Sequence, residues 1–176
     1  MHDAHSLLLH PHRCAAWVVH PFALSPGSCW VEIGARGWWA NCVYCAMGIA
    51  ASLKADADIS TRIGGEREPV VIRIRDDDVL ERDLLLHLST PVREWWDNVI
   101  HACATFQPFR RKSDVHVWCE RHAMPLGAII PLPEMYAFAR DWYGDYVDKP
   151  WRKRSRDETV ALFAKHGFEG EFWKVE

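Results

Sequence analysis

The segment NCVYCAMGIAASL (41–53) sets two thiols, Cys42 and Cys45, three residues apart at the head of an apolar run. A pair with this spacing can be a redox couple, half of a zinc site, a trap for a soft metal, or two small hydrophobes in a core. Residues 42–55 have helix-forming composition, weakened slightly by Gly48, with Asn41 as the expected N-cap. Cys42 then falls in the first turn, where unpaired backbone N–H groups and the positive end of the helix dipole favour a thiolate. Cys45 follows one turn later on nearly the same face, so both sulfurs could reach one ligand.

The remaining cysteines offer less. Cys103 lies in HACATFQPF (101–109), which reads as a buried strand-like run bracketed by aromatics. Alone, it reads as a core cysteine. Cys119 beside Trp118 reads as structural, and Cys14 and Cys29 carry no usable signal. A structural zinc site needs four ligands, and no second Cys-x-x-Cys follows. His101 with Cys103 could complete a set, though not at the spacing of a known ribbon. His101 and His116 are the histidines nearest to anything of interest, and each reads as a surface or core residue. A thioredoxin-like reading lacks the flanking βαβ pattern.

The elements that must position these residues are short and interleaved. CWVEIG (29–34) and GWWAN (37–41) read as strands about a GARG hairpin. ADISTRI (57–63) and PVVIRIR (69–75) alternate like strands, and DLLLHLS (83–89) is a further one. Thr90 and Pro91 form a cap and first-turn pair. Helices are expected over 113–124 with Ser113 as cap, over 131–147, and over 155–167 with Gly167 as the stop. Residues 1–20 read as an extended or partly ordered lead-in. Strands and helices do not alternate as in a doubly wound sheet, so the expected class is α+β, with mixed or antiparallel sheets and packed helices.

Composition narrows the function classes. The chain has 176 residues, enough for one domain with a small appendage and a substantial core. Net charge is −3, which gives no electrostatic footprint for nucleic acid. The basic run WRKRSR (151–156) reads as a solvated linker between helices. No basic n-region and no uninterrupted apolar span appears, so neither a signal peptide nor a membrane span is read. A cytoplasmic setting follows, in which the six cysteines stay reduced. Ten tryptophans are many for this length, and Trp38-Trp39, Trp95-Trp96 and Trp142 are expected in part to line a pocket.

Three segments together resemble the core domain of the alkylmercury (organomercurial) lyase family. WWANCVYCAMGIAASL resembles the family's first active-site segment, in which a Cys is followed three residues later by an acid at a helix start. HACATFQPF resembles the second, with its essential Cys, and PVVIRIRDDDV resembles the strand between them. The resemblance covers roughly residues 20 to 145. It implies an organisation of a lead-in (1–20), a lyase-like domain (21–145) and a C-terminal helical extension (146–176), whose helix would cover a pocket or contact a second copy in a homodimer.

The resemblance also implies protonolysis of a carbon–mercury bond, with Cys42 and Cys103 as the two catalytic thiols. Cys45 stands at the position of the family's acid, with Glu32 and Asp97 as weak substitutes for that acid. The substrate would be a small organometallic molecule, with small thiols as partners and no nucleic acid or membrane. No cofactor would be required. Hg²⁺ is soft and prefers thiolates, and Cu(I) or Zn²⁺ could use the same three sulfurs. The competing expectations are a thiolate protein that holds such a metal without turnover and a redox protein with a Cys42–Cys45 disulfide.

Overall fold

A computed structural model describes residues 7–150 and 152–175. The central element is an antiparallel sheet of eight strands, arranged β1-β2-β3-β5-β4-β6-β7-β8. The strands are β1 (Leu7–Leu9), β2 (Ala16–Val19), β3 (Phe22–Ala23), β4 (Cys29–Ile33), β5 (Arg36–Ala40), β6 (Ala57–Arg62), β7 (Pro69–Arg75) and β8 (Asp78–Val79). Period-two burial selects the inner face: Cys29 and Val31 of β4, Ala57 and Ile59 of β6, and Ile72 and Ile74 of β7 are buried while their neighbours are not. The β4–β5 hairpin pairs Trp30 with Trp39 and Ile33 with Arg36, and turns at Gly34, whose φ of 59° suits a residue without Cβ.

Helix α1 (Val43–Leu53) leaves β5 and returns the chain to β6 on the far side of β4. It is buried along nearly its whole length. Helix α4 (Leu132–Tyr143) lies across it at close range: a Cβ on Gly48 would sit 2.5 Å from the Tyr143 ring. Gly48, a flaw by helix propensity, is therefore the residue that lets the two helices approach. A second antiparallel sheet has the order β10-β9-β11, built from β9 (Leu85–Leu88), β10 (Phe106–Phe109) and β11 (Ala128–Pro131). Leu86 and Leu88 join the main core, while His87 packs edge-on to Phe109 and Trp118 under helix α3 (Lys112–His122). Helix α5 (Arg156–Lys165) starts at Ser155 with a capping box to Glu158, and its Phe163 enters the main core with Phe168 and Trp173.

The class is α+β with antiparallel sheets and, among the described residues, five packed helices. Several local expectations are corrected. The run 99–109 is not one strand: helix α2 (Val99–Ala104) precedes β10, because the Asn98 side chain caps it by accepting the His101 N–H at 3.0 Å. Helix α1 is capped by Cys42, not Asn41, and α3 by Arg111, not Ser113. Thr90 and Pro91 open a single 3-10 turn over Val92–Glu94. Part of the lead-in forms β1 and β2 at the edge of the large sheet, while residues 1–6 lie outside the described residues. Among the described residues no helix is long and apolar enough to cross a membrane.

Candidate active site

Cys42 ends the turn after β5 in extended conformation (φ −154°, ψ 172°), and its sulfur accepts the backbone N–H of Cys45 at 3.5 Å. One side chain therefore caps the helix and contributes a sulfur to the site. Cys45 follows in the first turn, its sulfur 3.9 Å from that of Cys103. Cys103 arrives on α2, near that short helix's end. The three sulfurs all lie within 4.8 Å of one another, and the residues are 0%, 1% and 5% exposed for Cys42, Cys45 and Cys103. A metal bonded to sulfur at about 2.3 Å separates its sulfurs by roughly 3.8–4.0 Å. The Cys45–Cys103 pair is already at that spacing.

A fourth group, His20, enters between β2 and β3. Its Nδ1 lies 3.9 Å from the Cys45 sulfur, its ring meets Trp96 edge-on at 5.7 Å, and its buried Nε2 has no hydrogen-bond partner among the described residues. Burial lowers its pKa to about 4, against a smaller raising effect of Cys42, so the imidazole is neutral at pH 7. Sequence reasoning missed His20, and no spacing could have revealed it. Twenty-five residues separate it from Cys45, and only the pairing of β3 with β5 brings it over the helix start.

The three thiols have unequal acidities. Cys45 is held well below the ordinary thiol range, first by the S–H of Cys103 and second by that of Cys42, which together outweigh burial. Burial pushes Cys42 up, despite the Cys45 N–H that it accepts. Cys103 is raised because it is the donor to Cys42 and Cys45, and because it too is buried. The thiol whose acidity the cluster raises is thus Cys45, with the Cys42 and Cys103 thiols beside it.

Cys45 and Cys103, but not Cys42, line an apolar pocket of about 30 Å³, walled by Trp95, Trp96, Trp142, Tyr44, Tyr143 and Phe106. Trp95, Trp96 and Trp142 thus line a pocket, whereas Trp39 packs tilted against Trp30 across the β4–β5 pair. His101, His116, Glu32 and Asp97 are exposed, and none belongs to the sulfur cluster. Cys119 is buried against His87 and the Pro125 carbonyl. Cys29 bonds to Thr61, and burial drives its thiol up to about 12.

Three buried sulfurs beside an aromatic-walled pocket, carried by an antiparallel α+β fold, form a cluster that could hold a soft metal ion. The family model for alkylmercury lyase matches residues 22–144, and the chain belongs to that family. Among solved structures, the mercury-bound form of MerB2 is similar, with a TM-score of 0.65 and 16% sequence identity. The match covers 82% of this chain and 70% of that one. No curated protein sequence matches the chain.

Proposed function

We propose that the protein is an organomercurial lyase that breaks a carbon–mercury bond by protonolysis at Cys42, Cys45 and Cys103. The observation that carries this reading is the convergence of the three sulfurs within 4.8 Å, with Cys45 and Cys103 lining an apolar pocket. The Cys45 thiolate takes R–Hg⁺ from the ligand that delivered it. The cation then lowers the pKa of the two neighbouring thiols. One of them, Cys42 or Cys103, gives its proton to the carbon as its sulfur becomes the second mercury ligand. R–Hg⁺, one thiolate and one thiol thus yield R–H and a neutral Hg(S)₂ unit, with no change of oxidation state. The third sulfur adds electron density to mercury and makes the carbon easier to protonate. In this scheme the proton that a carboxyl group gives elsewhere in the family comes from a thiol adjacent to Cys45.

The lyase unit is taken as residues 21–145, with residues 1–20 as lead-in and 146–176 as a helical extension. Its role is detoxification of organomercurials in a reducing compartment such as the cytoplasm, where the thiols stay free. The absence of any carboxylate from the sulfur cluster, among the described residues, favours a second reading: a thiolate trap that holds Hg²⁺, Cu(I) or Zn²⁺ without turnover. The reduced protein is incubated with phenylmercuric acetate or methylmercury and excess thiol, and benzene or methane is measured. Hydrocarbon over many turnovers, lost in Cys103→Ala, supports the lyase. Stoichiometric mercury uptake without hydrocarbon replaces it with the trap.

A further inference from the structure

Trp95, Trp96 and Trp142 line both the sulfur pocket and a much larger cleft of about 590 Å³. The far wall of that cleft is the basic run that reads in the sequence as a solvated linker. Arg152, Lys153, Arg154 and Arg156 all line it, with Asp97 as the one lining acid. Arg152 is neutralised by Glu158. Arg154 is held differently: its guanidinium donates to the Asp141 and Trp142 carbonyls and lies 4.8 Å over the Trp142 ring. Arg156 donates to the Val175 carbonyl. Among the described residues, Lys153, Arg154 and Arg156 have no carboxylate within ion-pair distance; the nearby Asp145 is paired with Lys149. In a chain of net charge −3, three cations without ion pairs among the described residues therefore line the cleft that shares these tryptophans with the sulfur pocket.

The chemistry of the sulfur pocket says what must reach it. Mercury held by buried thiolates leaves only by sulfur-for-sulfur exchange: two external thiols take Hg²⁺ as Hg(SR′)₂ and return two protons to the cysteines. Organomercury arrives the same way: R–Hg–SR′ passes R–Hg⁺ to the Cys45 thiolate and releases R′S⁻. We propose, resting on the lyase reading of the sulfur site, that the cleft receives small carboxylate-bearing thiols. Their carboxylates dock on Lys153, Arg154 and Arg156 while their sulfur reaches past the tryptophans to the mercury. Positive charge at the mouth of a low-dielectric cleft raises the local concentration of such anions, with on-rate effects of about 10- to 1000-fold at low ionic strength.

The test needs no turnover. Protein loaded with one equivalent of Hg²⁺ is mixed with mercaptosuccinate, 2-mercaptoethanol or cysteamine at equal thiolate concentration, and loss of mercury from the protein is timed. Mercaptosuccinate is expected to be at least about 10-fold faster than the other two at low salt, with the advantage shrinking to about 2-fold or less in roughly 0.5 M NaCl. The double variant Lys153→Glu/Arg156→Glu, at two exposed positions, is expected to remove the advantage and leave the 2-mercaptoethanol rate unchanged. Equal rates for the three thiols, or a preference indifferent to salt and to charge reversal, would overturn the proposal. If mercury is removed with the anionic preference but no hydrocarbon forms in the turnover assay, the lyase reading fails and the cleft assignment stands. If the protein holds no Hg²⁺ at all, both fall.

Discussion

Cys42 carries two duties, and two substitutions separate them. Its sulfur caps α1 through the Cys45 N–H at 3.5 Å and fills a site with 0% exposure. Cys42→Ala removes a weak cap, costing about 0.5–1 kcal/mol. It also deletes roughly one methylene-equivalent of buried volume, for about 1–1.5 kcal/mol of transfer and cavity cost together. The sum, about 2 kcal/mol, corresponds to a fall in Tm of roughly 4–8 °C for a chain of this size. Cys42→Ser keeps an acceptor that is a better cap, so its loss is held to about 1 kcal/mol, with Tm within about 4 °C of the parent. Both variants remove the sulfur from the cluster and are expected to release no hydrocarbon. Calorimetry in metal-free reducing buffer gives the first quantity, and headspace chromatography of benzene or methane gives the second. Equal destabilisation by Ala and Ser would show that the cap contributes nothing. Hydrocarbon release by Cys42→Ser at the parent rate would remove Cys42 from the chemistry.

Three further outcomes follow from the same geometry. Gly48→Ala, which helix propensity alone would make stabilising by about 1 kcal/mol, is expected to destabilise by about 1–3 kcal/mol because its Cβ would fall 2.5 Å from the Tyr143 ring; urea unfolding gives the sign, and a gain in stability would refute the close-packing account. His87 is pushed by burial to a pKa of about 4, so the unfolded chain binds its proton first as pH falls. Stability is therefore full above about pH 6.5 and declines toward pH 4, by roughly 2–3 kcal/mol for this group; His87→Gln should flatten that slope, and an unchanged slope would exclude His87 as its source. Trp96→Ala widens a pocket of about 30 Å³ that accommodates a methyl group but not a phenyl ring without movement; the ratio of kcat/KM for phenylmercury over methylmercury should rise about 10-fold, and a constant ratio would mean that Trp96 does not set the pocket size.

Local signals in the sequence carried the elements whose burial follows a single period. β4, β6 and β7 alternate, and the Ser155/Glu158 box announces α5, so each is legible without tertiary information. The run 99–109 was not, because a six-residue apolar helix followed by a four-residue buried strand has no resolvable period. The Asn41 cap failed for a related reason: cap preference ranks side chains, whereas the turn after β5 placed the extended residue at Cys42. The spacing of Cys42 and Cys45 was readable as a pair. Their meeting with Cys103 depends on the packing of α2 beside α1, and came from family resemblance rather than from any local pattern. His20 had neither route, since a lone histidine before a proline in a short strand connection resembles any loop residue. WRKRSR was legible as charge but not as a cleft wall, because its Arg154 is fixed by main-chain carbonyls that no pattern predicts.

Three of the ten indoles in this chain surround the sulfur site. Mercury is a heavy atom, and its spin–orbit coupling opens a non-radiative route for excited rings at van der Waals range. Trp95, Trp96 and Trp142 should thus dim as the metal arrives, while the indoles of Trp30, Trp39 and Trp118, packed elsewhere in the fold, keep their emission. The indoles that wall the sulfur pocket would make its occupancy visible by intrinsic fluorescence, without a dye or label.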